Sequence, residues 1–204
     1  KWYHSRLNID FGENWHKDPF YRYEALLKMK EQLHRIFYMC KDFELQYDGD
    51  IEETCATISG VYGITLIPQM YGIEPLYFKD NWPDAGGKRH ITQDEMGALD
   101  LFTLTDKPVF QELIQQMDMI ETRYGKIHGY LNYQGILNVA LKVRGSEIFL
   151  DMIEEPELVK HFFYHIADTI MKTSKAVQER QRKSGFNINL LSMSNCVMNM
   201  ISPL

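Results

Sequence analysis

Apolar residues recur at three- and four-residue spacing in several stretches, each bounded by helix start or stop signals. Asp18-Pro19 joins a cap residue to a first-turn proline, and Phe20, Tyr23, Leu26, Leu27, Met29, Leu33 and Phe37 carry the stripe to about Tyr38. Pro108 opens a second helix through Phe110, Leu113, Ile114, Met117 and Ile120, which Gly125 stops. Short helices are predicted from Leu137 to Val143 and from Ser146 to Met152. Glu155-Pro156-Glu157 opens the longest, to about Lys183, with acids in its first turn and bases in its last. Thr92-Gln93-Asp94-Glu95 reads as a capping box.

Between the helices the pattern changes. Thr57–Ile67 is rich in β-branched and aromatic residues and predicts a strand, whose Gly60 and Gly63 let backbone or ligand approach closely. Lys126–Leu131 predicts a second strand, with Asn132, Tyr133, Gln134 and Gly135 at its carboxyl end. Residues 79–91, with Pro83 and Gly86-Gly87, predict a loop, and the acidic region Asp42–Glu53 an irregular one. Asn187–Met193 predicts a third strand ending in Ser194-Asn195-Cys196, after which Ser202-Pro203 reads as the start of another helix. From residue 108 onward the order is helix, strand, helices, strand, which predicts a parallel α/β sheet with crossover helices. Ligands meet such folds at the carboxyl ends of the strands. With no repeat or low-complexity linker, residues 1–204 are expected to form a single domain.

Composition narrows the function classes. Apolar content of 45% and charged content of 25% are ordinary for a globular protein. A net charge of −6 without a basic face argues against a nucleic-acid partner. There is no apolar run of membrane-spanning length, and Lys1–Ser5 lacks the apolar core of a signal peptide. Cys40, Cys55 and Cys196 are odd in number and far apart, which favours reduced thiols in a cytoplasm.

Several residues carry candidate chemistry. Cys196, at a strand end among polar neighbours Ser194 and Asn195, reads either as a thiolate ligand or nucleophile, or as an inert thiol. Asn132, Gln134 and Asn138 either orient a substrate or tie down loop backbone. Arg144 pairs either with an anionic substrate or with Glu147. Asn81 and Trp82 lie in a segment that is either a lid over a planar ligand or a surface loop pinned by the indole. His161 and His165, four apart on the long helix, share one face; they either grip a metal or edge an apolar stripe. No phosphate loop, dinucleotide fingerprint or serine nucleophile elbow is present.

Three stretches resemble the uroporphyrinogen decarboxylase superfamily, which also contains corrinoid-dependent methyltransferases. They are Val61–Glu74 with its Ile67-Pro68-Gln69-Met70-Tyr71-Gly72 core, Gly129–Gly145 followed by Phe149–Val159, and Ser194-Asn195-Cys196 through Ile201-Ser202-Pro203. Leu150-Asp151-Met152, followed by Pro156-Glu157-Leu158-Val159, is the most specific part. The resemblance covers roughly residues 55–204 and implies a (β/α)8 TIM barrel, an α/β fold, of which this chain is the N-terminal part. A complete barrel typically needs about 250 residues.

The resemblance also implies an enzyme acting on a small-molecule substrate, with Tyr62 near the substrate cleft. Departures favour one branch. Gly63 stands where decarboxylases carry an aspartate that holds pyrrole NH groups, and Ala140 where they carry a tyrosine. Arg22 and Arg35 are too far apart to replace the arginine pair that binds propionates. The expected activity is therefore methyl transfer from a corrinoid to a zinc-activated thiol, with Cys196 as the one candidate zinc ligand here and the main ligands beyond Leu204. The methyltransferase branch implies a corrinoid protein as partner, and the family a homodimer. The alternatives are decarboxylation of a uroporphyrinogen-like tetrapyrrole, which needs no cofactor, and a non-catalytic corrinoid- or small-molecule-binding protein.

Overall fold

The computed structural model describes residues 1–37, 55–86, 89–100 and 106–185. The expected strand Asn187–Met193, Ser194, Asn195, Cys196, the Ser202-Pro203 helix start, Cys40 and the acidic region lie outside them.

Two short helices lead the chain, α1 (Trp2–Leu7) and α2 (Glu13–Lys17), followed by the longer α3 (Pro19–Phe37). Asp18 starts α3 as its sequence predicts, its carboxylate accepting from the backbone N–H of Phe20 at 2.9 Å and of Tyr21 at 3.1 Å. After α4 (Leu66–Met70) comes a hairpin, β1 (Pro75–Phe78) and β2 (Asn81–Ala85), then α5 (Gln93–Gly97), α6 (Pro108–Tyr124), α7 (Ile136–Arg144), α8 (Glu147–Glu154) and α9 (Pro156–Lys183). The Thr92/Glu95 capping box forms, and Gly125 closes α6 at φ 83°. At 28 residues α9 is about 42 Å long and is the spine of the molecule. It buries Val159, Phe162, Ile166, Ile170, Thr173 and Val177 at helical spacing against α5, α7 and α8. Thr169 and Thr173 enter this dry face because each hydroxyl donates to the carbonyl one turn back, at 2.9 and 2.7 Å.

The expected (β/α)8 barrel is not what the chain forms. Among the described residues the one sheet is the antiparallel pair β1–β2, and parallel pairing is confined to an isolated bridge, Thr57 with His128. The reason lies in the glycines and their neighbours. Past Ser59 the chain coils through consecutive turns, with Gly60, Tyr62 and Gly63 all at positive φ, and so cannot continue as a strand. Ile58, Val61, Leu66 and Ile67 are nonetheless fully buried, so their β-branched and apolar character reflects core packing rather than strand pairing. Gly129 (φ 92°) interrupts the second expected strand, Lys126–Leu131, in the same way.

The bridge itself is tight. His128 donates its N–H to the Ala56 carbonyl at 2.9 Å, and its own carbonyl accepts from Ile58 N–H at 2.9 Å and from the Thr57 hydroxyl at 3.0 Å. Beyond it the Ser59 hydroxyl accepts from Tyr130 N–H at 3.1 Å. Residues 79–91, expected as a loop, instead contain β2, which tolerates Pro83 because a two-stranded sheet has only edge strands.

Candidate functional site

Where the Thr57–His128 bridge ends, the chain turns at Ser59-Gly60 beneath the hairpin. Helix α2 supplies Trp15 and His16 from one side and β2 supplies Asn81 and Trp82 from the other. Together they line a largely apolar cavity of about 440 Å³, within the ordinary range for a small-molecule pocket. Trp82 rests one edge of its indole on the glycine turn: a Cβ on Gly60 would lie 3.2 Å from its Cη2 and Cζ3 atoms. The indole is nonetheless 64% exposed, so much of its surface is available to a ligand.

His16 is the polar centre of this cleft. Its Nδ1 accepts the backbone N–H of Tyr62 at 3.0 Å, so the neutral ring carries its hydrogen on Nε2. Burial, reinforced by the Arg22 charge, lowers its pKa to about 4, so the ring is neutral at physiological pH. Nε2 is buried and has no hydrogen-bond partner among the described residues. The nearby Gly60 and Phe11 carbonyls oppose this shift without reversing it, and neither meets Nε2 at hydrogen-bonding geometry. The ring stacks on Tyr77, centroids 5.2 Å apart.

A buried polar network holds His16 and Tyr62 in place. Gln116 on α6 donates to the His16 carbonyl at 3.0 Å and to the Tyr62 hydroxyl at 2.9 Å. Its own oxygen accepts from Arg22, which also donates to the carbonyls of Trp15 at 2.8 Å and Thr57 at 3.2 Å. Arg22 is fully buried, and burial pulls its pKa down to about 10, leaving it a cation at neutral pH. Burial, then the nearby Glu112 charge, raises the Tyr62 phenol, which stays protonated. Tyr62 adopts φ 57°, a strained conformation for a bulky residue, held because backbone and hydroxyl are both tied down.

The other residues singled out from sequence are dispersed. Tyr62 lies beneath the cleft, and Asn81 lines it, its side chain capping the N–H of Trp82 at 3.0 Å. Asn132 accepts the N–H of Gln134 at 3.0 Å, so it ties down a strained turn, and neither residue lines the cavity. Asn138 is exposed on α7. Arg144 is committed internally: it grips the buried Asp151 at 2.7 Å, donates to the Ile91 carbonyl at 3.0 Å, and reaches Glu147 only at 3.9 Å. His161 and His165 meet the carbonyls of Leu99 and Asp100 at 3.2 and 2.9 Å, and His165 also bonds the Tyr71 hydroxyl at 2.8 Å. Sequence reasoning pointed to Gly60 but missed His16 and Ser59. Nothing local distinguishes His16, because its role depends on a contact with Tyr62, 46 residues away.

A larger open groove of about 680 Å³ between α4 and α5 carries the exposed Arg89–Glu95 ion pair, but neither His16 nor Trp82 lines it. The described residues contain no group of three His, Cys, Asp or Glu side chains that could hold a metal, and Cys196, the expected zinc ligand, lies outside them. No described helix is long and apolar enough to cross a membrane. No family model, curated protein or solved structure matches this chain.

Proposed function

We propose that this chain belongs to a cytoplasmic enzyme that shares sequence motifs, but not a barrel among its described residues, with the uroporphyrinogen decarboxylase superfamily, that it binds a small molecule in the Trp82 cleft, and that its reaction is methyl transfer from a corrinoid donor to a thiol. The observation that carries the choice of branch is at Gly63. This residue stands where the decarboxylases carry their pyrrole-binding aspartate, and a Cβ there would lie 2.9 Å from Pro83 Cγ, on a backbone at φ 51°. An aspartate at this position would meet both a steric and a conformational obstacle, which counts against tetrapyrrole decarboxylation.

The segment that carries the first resemblance also packs against the cleft: Tyr62 donates to His16, and Gly63 sits under Pro83 and Trp82. The cavity volume suits a ligand of two or three fused rings, or a comparable chain, better than a macrocycle. The cleft is therefore assigned to the methyl acceptor or its recognition group, with the corrinoid as a second substrate presented from outside.

The test incubates the full-length protein with methylcob(III)alamin and a panel of thiols, following cobalamin demethylation by visible absorption and thioether formation by mass spectrometry. Thioether formation supports the proposal. Formation of coproporphyrinogen from uroporphyrinogen without demethylation would replace it with decarboxylation. Neither activity, with ligand binding retained, would leave a non-catalytic binding protein.

A further inference from the structure

A buried hydrogen-bond donor with no acceptor is costly, so its persistence beside a cavity calls for an occupant. His16 is 1% exposed, its Nδ1 is committed to Tyr62 N–H, and its Nε2–H meets no acceptor at hydrogen-bonding geometry among the described residues, the Gly60 and Phe11 carbonyls being near but not bonded. The ring cannot rotate to relieve this without orphaning the Tyr62 N–H, which the strained backbone and the Gln116 bond hold in position. Beside it in the same cavity stands the broad, exposed indole of Trp82, seated on a glycine turn that leaves no side chain in the way.

We propose that His16 determines specificity in this cleft: its Nε2–H donates to a carbonyl or carboxylate oxygen on a flat ring that lies against the Trp82 indole. The inference rests on the reading of the cleft as the ligand site and adds the ligand's chemistry, an aromatic or conjugated ring with an oxygen acceptor at its edge. Two features favour an electron-rich acceptor. The donor is neutral, so it makes no demand for a full counter-charge. The buried Arg22 cation shares the Gln116 network with His16 and adds positive potential there, which the Asp18 and Glu112 carboxylates nearby offset in part. Apolar surface then supplies most of the affinity and the hydrogen bond supplies the discrimination.

Two probes of nearly equal shape isolate the donor: 2-naphthoate, and 2-isopropylnaphthalene, in which the carboxylate is replaced by a hydrocarbon. Both are titrated into the full chain labelled with ¹⁵N-histidine and followed by NMR. Wild-type protein should bind 2-naphthoate at least about tenfold more tightly than the hydrocarbon, the usual range for a hydrogen bond to a charged group. The His16 Nε2 resonance should shift as the naphthoate site fills. In the His16→Asn variant the amide oxygen can still accept the Tyr62 N–H, but nothing reaches the position of Nε2. Naphthoate affinity should then fall about tenfold while hydrocarbon affinity stays within about twofold. Trp82→Ala should weaken both probes. Equal affinity of the two probes in wild-type protein, a parallel loss of both in His16→Asn, or saturation by naphthoate without movement of the His16 signal would each overturn the proposal. None of these readouts involves methyl transfer, so failure of the reaction and failure of the recognition model are separable.

Discussion

Gly129 is where the geometry under the cleft can be tested most severely. A Cβ added there would lie 2.0 Å from the Thr57 hydroxyl, 2.2 Å from the Ser59 hydroxyl and 2.9 Å from the Ser59 backbone nitrogen, on a backbone at φ 92°. Both hydroxyls are already engaged, Thr57 with the His128 carbonyl and Ser59 N–H, and Ser59 with Tyr130 N–H. Neither can swing away without breaking these bonds. Positive φ costs an alanine about 1–2 kcal/mol, and overpacking adds about 1–3 kcal/mol. With at least one lost hydrogen bond at about 1 kcal/mol, Gly129→Ala is expected to destabilise by about 3–6 kcal/mol. The control is Gly72→Ala, at φ 79° with nothing within 4 Å of the new Cβ, which carries only the conformational cost of about 1–2 kcal/mol. Urea unfolding monitored by tryptophan fluorescence measures both. If the two variants lose the same stability, residues 57–59 and 128–130 do not approach as described, and the cleft built on them has no foundation.

Acid should unfold the protein partly through His16. Its pKa is about 4 in the fold against an ordinary 6.5, so the unfolded chain takes up the proton first as pH falls. Stability is intact above pH 6.5 and drops towards pH 4 by about 3 kcal/mol from this group. Denaturant titrations at pH 7.5 and 4.5 should show a smaller loss in His16→Asn; identical losses would contradict the shift. Arg144→Leu should cost about 1.5–3 kcal/mol by leaving the buried Asp151 carboxylate held by the neutral Gln93 amide without its cation, whereas Glu147→Ala at the exposed 3.9 Å contact should cost under about 0.5 kcal/mol. Comparable losses from both in urea unfolding would contradict that assignment. Tyr71→Phe, which leaves His165 Nδ1 and the Thr169 hydroxyl short of one partner, is expected to lower stability by about 1–2 kcal/mol in the same assay, and no loss would show that these bonds are absent.

The long helices were legible because their signals are local. Asp18-Pro19, the Thr92/Glu95 box and Gly125 each act within a turn, and the α6 and α9 stripes repeat often enough to fix their period. The sheet was misread because β-branched content is an ambiguous signal. Ile58, Val61 and Ile67 are buried from turns as completely as from strands, and the glycines taken as permitting close approach are the points where the chain departs from strand geometry. The hairpin was hidden by Pro83, which normally argues against a strand but is harmless at an edge. Among site residues, the pairing of Arg144 depended on Gly145 (φ 77°), which breaks the helix and swings α8 so that Asp151, not Glu147, becomes the close partner. Trp82 and Asn81 were recognisable as surface aromatic and amide; that they face His16 is a tertiary fact with no sequence period behind it.

The cleft as a ligand site is tested most directly by a crystal of the full chain soaked in 2-naphthoate. The account predicts ring density against the Trp82 indole with a carboxylate oxygen within about 3 Å of His16 Nε2. Naphthoate seated elsewhere, or a water bonded to His16 Nε2 with the cleft otherwise empty at saturating probe, would contradict it.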